Sequence, residues 1–204
     1  MKLKSLKIKI CGMKYDIKKI SYFLPDFMGF IFYKKSPRYV GKNFIIPDIS
    51  NKILKIGVFV NDNKDNILKI SKEKKLDFIQ LHGKESAFFC EQLCKRKVKI
   101  IKSFKIDKYF LFKKIYDYIP FCPYFIFDNN GGSGQKFTWE KLNEYYFETP
   151  FFLSGGIGIN DVEKIQKFFH PKMIGIDINS KFEIFPGKKN KKILKIFLKK
   201  IKNL

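Results

Sequence analysis

Residues 124–137 read Tyr-Phe-Ile-Phe-Asp-Asn-Asn-Gly-Gly-Ser-Gly-Gln-Lys-Phe. An apolar, aromatic run of strand length ends on a carboxylate, Asp128. A turn rich in glycine, Gly131-Gly132-Ser133-Gly134, follows at once, and backbone N–H groups in such a turn can approach an anion closely. An acid at a strand end beside a phosphate cradle has the form of an active site, although Asp followed by Asn-Gly is also ordinary turn chemistry. The rest of the chain decides between these readings.

Working outward, short strand-like runs alternate with longer amphipathic ones along the whole sequence. Strands are expected at 6–11, 27–32, 54–60, 77–81, 98–103, 124–128, 151–154 and 173–178. Helices are expected at 14–23, 64–74, 86–95, 108–118, 138–147, 160–168 and 188–202, with a poorer one around 47–52. No Gly/Ser-rich or Pro-rich linker divides these units. A β-then-α unit repeated in this way predicts an α/β fold of one domain over residues 1–204, a closed (β/α)8 TIM barrel of parallel strands rather than an open doubly wound sheet. With 204 residues it is a small example of that fold.

Composition narrows the classes. Hydrophobic residues make up 45% of the chain, a globular value. No apolar run approaches the roughly 20 residues that span a bilayer, and the start lacks the uninterrupted apolar core of a secretory signal. The expectation is a cytoplasmic protein with no membrane partner. Cys11, Cys90, Cys94 and Cys122 form neither a zinc-ligand pattern nor a disulfide framework. The net charge of +23 would suit a nucleic-acid binder. However, the lysines are spread over nearly every segment, and Arg38 and Arg96 are the only arginines. Abundant Lys, Ile, Asn and Phe with scarce Ala and Arg is the skew of an AT-rich genome, so no nucleic-acid partner is expected.

Barrels of this kind place their chemistry at the C-terminal ends of the strands. Side chains two apart on a strand share a face. In the first strand Lys7, Lys9 and Cys11 oppose Leu6, Ile8 and Ile10. In the fourth, Phe78, Gln80 and His82 alternate with Ile79 and Leu81; in the sixth, Tyr124, Ile126 and Asp128 lie together; in the eighth, Gly175, Asp177 and Asn179 oppose Ile174, Ile176 and Ile178. The aliphatic faces suit the outer helices, so Cys11, Gln80, His82, Asp128 and Asp177 should converge in the barrel mouth. A second glycine cluster, Ser154-Gly155-Gly156, follows the seventh strand, and Asn179-Ser180 the eighth. Loops in those places often bind phosphate. His170, before a proline, is expected at the surface, and Trp139 is expected to pack.

Motifs along nearly the whole chain resemble those of the phosphoribosylanthranilate isomerase family. They are Lys9-Ile-Cys-Gly12, Gly29-Phe-Ile-Phe-Tyr33 with Ser36-Pro-Arg-Tyr39, Gly57-Val-Phe-Val-Asn61, Gln80-Leu-His-Gly83, Gly131-Gly-Ser-Gly134 with Phe137-Thr-Trp139, Leu153-Ser-Gly-Gly156, Asp177-Ile-Asn-Ser180 and Phe185-Pro-Gly-Lys-Lys189. The resemblance implies an Amadori rearrangement of N-(5-phosphoribosyl)anthranilate without metal or cofactor. It also implies Asp128 as the general acid that opens the ribose ring, Cys11 as the base that removes the C2 proton, and Arg38 beside the anthranilate carboxylate. Phosphate would lie on the backbone of Gly132, Gly134, Gly155 and Gly156 with Ser180, while Lys9, Gln80, His82 and Asp177 complete the site. The partner is a small phosphorylated substrate, and the expected state is a monomer, a homodimer being the alternative.

The chemistry of the residues agrees with this assignment. A thiol with a pKa of about 8.5 is mostly protonated at neutral pH, so Cys11 needs positive charge nearby, for which Lys9 is the candidate. Asp128 has to carry a proton to give. Three departures stand out: Met13-Lys14, Gly158-Ile159 in place of an Asn-Pro pair, and Lys181 at a position usually Gly. The last would strain the turn if φ is positive there. Two competing readings are an indole-glycerol-phosphate synthase-like barrel, whose catalytic lysine and glutamate set is not recognisable here, and a basic nucleic-acid binder with its lysines gathered on one face.

Overall fold

β-branched and aromatic residues dominate each short apolar run, and these are the side chains that pack well on a pleated surface. The computed structural model describes residues 6–128 and 139–202. In it the runs become β1 (Lys7–Ile10), β2 (Phe27–Ile31), β3 (Leu54–Phe59), β4 (Phe78–Leu81), β5 (Ile100–Lys105), β6 (Tyr124–Asp128), β7 (Phe151–Ser154) and β8 (Met173–Ile178). They close into one barrel in the order β1 to β8, every neighbouring pair being parallel. Closure pairs β1 with β8, with Lys9 opposite Asp177 and Lys7 opposite Gly175.

The period-two alternation separates two cores. Phe27, Ile56, Val58, Phe78, Ile101, Ile126 and Phe152 fill the barrel interior, where Phe27 meets Phe152 edge-on at 5.3 Å. Each such ring contributes about 1.5–3 kcal/mol by leaving water. The opposite faces, among them Ile8, Ile10, Met28, Phe30, Ile79, Leu81, Phe125 and Ile176, pack under the surrounding layer.

That layer is less helical than the periodicity predicts. The α-helices among the described residues are α1 (Ile17–Ser21), α2 (Lys64–Glu73), α3 (Ala87–Cys94), α4 (Val162–Lys167) and α5 (Lys191–Lys202). The weak pattern at 47–52 forms no helix; Pro47 lacks an N–H and turns the residue before it away from the helical region. The expected helices at 108–118 and 138–147 are 3-10 turns over Phe112–Tyr118 and Trp139–Glu144. Both stretches are crowded with aromatic residues, which lose side-chain freedom in a helix. Asn63 and Ser86 cap α2 and α3 by accepting from the Asn66 and Phe89 N–H groups. The final helix begins later than expected, because Lys188–Lys189 forms β10, hydrogen-bonded to β9 (Glu183–Phe185) across the Pro186-Gly187 turn. Leu194, Phe197, Leu198 and Ile201 of α5 are buried, and Ile193 is half-buried against the same core.

Two further expectations resolve. His170 is buried rather than at the surface: its ring stacks edge-on to Phe151 and its Nε2 lies 3.1 Å from the Tyr145 carbonyl. Trp139 is buried as expected, against Phe168 and under the Lys164 ammonium. No helix among the described residues is long and apolar enough to cross a membrane.

Candidate active site

The C-terminal end of β1 carries the most concentrated chemistry. Lys9 is fully buried, and its Nζ donates to Asp177 Oδ1 at 2.8 Å across the β1–β8 seam. Ser154 Oγ approaches the other Asp177 oxygen at 3.4 Å. The next inward side chain above Lys9 is Cys11, only 5% exposed. Gly29 of β2 makes room for it: a Cβ at that position would stand 2.8 Å from the Cys11 sulfur. Burial pushes the Cys11 thiol above its ordinary value, against the pull of Lys9 and Lys189. Lys9 supplies positive charge beside the thiol as the sequence suggests, and Lys189 adds to it, but desolvation outweighs both ammonium groups. The reciprocal effect holds Lys9 charged, since burial lowers its pKa but Asp177 and Cys11 raise it to a net upward shift.

The opposite wall comes from β4, β5 and β6. Gln80 Nε2 donates to Ser103 Oγ at 2.9 Å and stands 3.1 Å from His82 Nδ1. The far side of the His82 ring, Nε2, lies 3.7 Å from Asp128 Oδ2. Burial lowers the His82 pKa despite the nearby Asp128 and Asp177 carboxylates, so the ring is neutral at pH 7. A buried ion pair fixes the loop that carries it. Lys102 Nζ donates to the Gly83 carbonyl (2.8 Å) and to Glu85 Oε2 (2.9 Å). Glu85 in turn accepts from the Asn61 and Gly83 N–H groups.

Arg38, from the loop after β2, makes a forked contact with Glu183: Nε donates to Oε1 at 3.0 Å and Oε2 at 2.9 Å, and Nη2 to Oε2 at 2.6 Å. Burial raises the Glu183 pKa, but Arg38, Lys189 and the Gly187 N–H outweigh it and hold the carboxyl below its ordinary value.

These walls enclose a cavity of about 520 Å³ at the mouth. Cys11, Arg38, Gln80, His82, Asp128, Gly155, Gly156, Asp177 and Ser180 all line it. Lys9 lies out of contact with it, beneath Cys11. Gly155 and Gly156 have φ of 102° and 68°, a left-handed pair that turns the loop after β7 along the cavity rim. A Cβ on Gly156 would meet nothing within 4 Å, so its backbone faces open space. Gly132 and Gly134 lie outside the described residues. Lys181 sits in a 3-10 turn (Ser180–Phe182) and is not among the described residues with positive φ, so the feared strain is absent.

A family model described as N-(5'-phosphoribosyl)anthranilate (PRA) isomerase matches residues 7–200. The chain belongs to the phosphoribosylanthranilate isomerase family. Its members are isomerases, and the fold is theirs. The N-(5'-phosphoribosyl)anthranilate isomerase of Parabacteroides distasonis is 40% identical over 206 residues, covering 95% of this chain and 92% of that protein. The counterpart from Phocaeicola vulgatus is 37% identical, covering 96% and 97%. Among solved structures, a phosphoribosyl anthranilate isomerase in complex with reduced 1-(o-carboxyphenylamino)-1-deoxyribulose 5-phosphate superposes with a TM-score of 0.80 at 26% identity, over 98% of this chain and 100% of that one. The isomerase from Thermotoga maritima gives 0.80 at 27% identity and the same coverage.

Within this family frame, sequence reasoning missed Glu183, Lys189, Lys102 and Glu85. Lys189 ends the Phe185-Pro-Gly-Lys-Lys189 motif, and the Pro186-Gly187 turn was the available signal that a hairpin, not the helix, holds it. Glu85 lies just beyond Gln80-Leu-His-Gly83. Nothing in the sequence marks its pairing with Lys102.

Proposed function

We propose that this chain catalyses the Amadori rearrangement of N-(5-phosphoribosyl)anthranilate to 1-(2-carboxyphenylamino)-1-deoxyribulose 5-phosphate in tryptophan biosynthesis. The observation that carries the reading is one cavity walled by a carboxyl on β6, a thiol just beyond β1, a guanidinium and a left-handed glycine pair. A 1,2-proton shift on a phosphorylated sugar amine requires these groups: an acid, a base, and two anion sites that hold the ends of the substrate.

Asp128 protonates the ribose ring oxygen; the C1–O bond breaks and the anilino nitrogen supplies the electron pair, leaving a cationic Schiff base. Cys11 as thiolate then removes the C2 proton, and the C–H electrons neutralise the iminium to give an enolamine. Reprotonation at C1 and loss of the hydroxyl proton yield the ketone. The two residues stand three strand steps apart around the ring, so acid and base address the sugar from different sides. The iminium adds a positive charge beside Cys11 and, with Lys9, favours the thiolate that burial opposes. Neutral His82, fixed by Gln80, faces Asp128 and orients its carboxyl. Arg38 receives the anthranilate carboxylate through its planar fork. Gly155, Gly156 and Ser180, with Gly132 and Gly134, take the phosphate.

Rescue of a tryptophan auxotroph lacking the isomerase tests the assignment. The wild-type chain restores growth, and Cys11→Ala and Asp128→Ala do not. Growth with either variant contradicts the role given to that residue, and failure of the expressed wild-type chain contradicts the function.

A further inference from the structure

Three charged groups meet beside the cavity, and the reaction above uses only one. Glu183, at the start of β9 with its side chain 4% exposed, accepts from both Arg38 and Lys189. Lys189 is buried in β10, and its Nζ reaches Glu183 Oε1 at 3.0 Å, Asn179 Oδ1 at 2.8 Å and the Asn179 carbonyl at 3.3 Å. Three acceptors match the three N–H donors of an ammonium, so the group is placed as a cation. Two cations therefore share one carboxylate. The neighbouring pair, Lys9 and Asp177, is balanced within itself. One positive charge is left over in a largely dehydrated cluster, where an unmatched charge is costly. Only Arg38 presents that charge to the cavity: it lines the wall, and Lys189 does not. The Arg38 contacts with Glu183 use Nε and Nη2 and leave Nη1 uncommitted to that carboxylate.

We propose that Lys189 is a positioning residue that makes the site select a ligand bearing a carboxylate. By sharing Glu183 it keeps the cluster one charge positive and holds Arg38 with its remaining N–H groups towards the cavity. The ligand carboxylate completes the balance. The inference rests on the isomerase reading for the identity of that ligand.

The test is binding, by calorimetric titration, of reduced 1-(o-carboxyphenylamino)-1-deoxyribulose 5-phosphate and of the same compound lacking the ring carboxylate. The wild-type chain should prefer the carboxylated compound by about 10- to 100-fold, the factor that a charge-assisted contact supplies. In Lys189→Met the preference should collapse to within about threefold, with the affinity for the uncarboxylated compound unchanged, because the cluster is then neutral. Lys189→Arg should restore it. Should Lys189→Met fail to fold, Lys189→Gln carries the same prediction, keeping a donor for Asn179 and Glu183 without the charge. Equal weakening of both compounds would reduce Lys189 to a structural prop and overturn the inference, as would an undiminished preference in either neutral variant. Wild-type protein that binds both compounds equally overturns this inference and the role given to Arg38 while leaving the isomerase reading in place, whereas protein that binds neither overturns the isomerase reading with it.

Discussion

Replacing Lys9 by Met removes the fully buried half of an ion pair whose other half, Asp177, is nearly so. The Nζ–Oδ1 separation is 2.8 Å, and the two side chains are 0% and 7% exposed. Without Lys9, the side-chain hydrogen bond left to Asp177 among the described residues is the 3.4 Å contact from Ser154 Oγ. Breaking a buried pair on one side costs about 3–5 kcal/mol, because the surviving charge stays buried and unmatched. For a chain of this size each kcal/mol moves the melting temperature by about 2–4 °C, so the melt should fall by about 6–20 °C. The double variant Lys9→Met/Asp177→Leu removes both charges and should recover most of that loss, since an apolar replacement of a buried pair is often neutral. Urea unfolding of the four members of the cycle measures the coupling. A single-variant loss below about 1 kcal/mol, or a double variant no better than Lys9→Met, would refute the reasoning, since an exposed pair is worth no more than that.

Three other outcomes are expected. Because burial raises the Cys11 thiol above its ordinary value, kcat/KM should climb through neutral and mildly alkaline pH, about tenfold per unit for a base largely protonated in the free enzyme. A plateau near pH 7 in the rate profile would contradict the thiol assignment. Gly29→Ala places a Cβ 2.8 Å from the Cys11 sulfur and 3.2 Å from its Cα; overpacking of this kind costs about 1–3 kcal/mol. It should depress kcat with the circular-dichroism spectrum preserved, and wild-type kcat would show that the sulfur is free to move. Burial lowers the His170 pKa against the Tyr145 carbonyl that favours its proton. The unfolded chain therefore takes up a proton near the ordinary value of 6.5 before the folded chain does. Stability from this group is complete above that pH and is lost as pH falls through the lower folded value, so His170→Gln should flatten the decline in melting temperature below pH 6.5. An unchanged slope would rule His170 out as its source.

The barrel was legible because its signal is local and repeated. Eight runs of β-branched and aromatic residues, each with a period of two, mark both the strands and the face that turns inward, and the closed order follows from their number. The same periodicity turned Cys11, Gln80, His82, Asp128 and Asp177 into the mouth, where they line one cavity. The outer layer was read less well. Aromatic-rich stretches such as Phe112–Tyr118 satisfy a helical pattern yet settle into 3-10 turns, because packing of rings such as Phe112 against Phe127 and Tyr145 decides their path. His170 looked like a loop residue, since nothing local reveals that Phe151 and Tyr145 fold over it. The charge pairs were illegible for a general reason. Lys102 with Glu85 and Lys189 with Glu183 are matched through space, and in a chain with 42 basic residues one buried lysine looks like any exposed one. The sign of the Cys11 shift likewise depends on burial, which no motif records.

The central claim is that Asp128 and Cys11 act as acid and base on one phosphorylated sugar amine. Turnover of N-(5-phosphoribosyl)anthranilate by the purified chain, followed by the loss of its fluorescence, tests this most directly when Asp128→Asn and Cys11→Ser are compared with wild type. Wild type should convert the substrate, and each variant should lose about 10²–10⁴ in kcat, the range of general acid–base catalysis. Turnover by either variant within tenfold of a working wild type, or none by the wild type itself, would contradict the account.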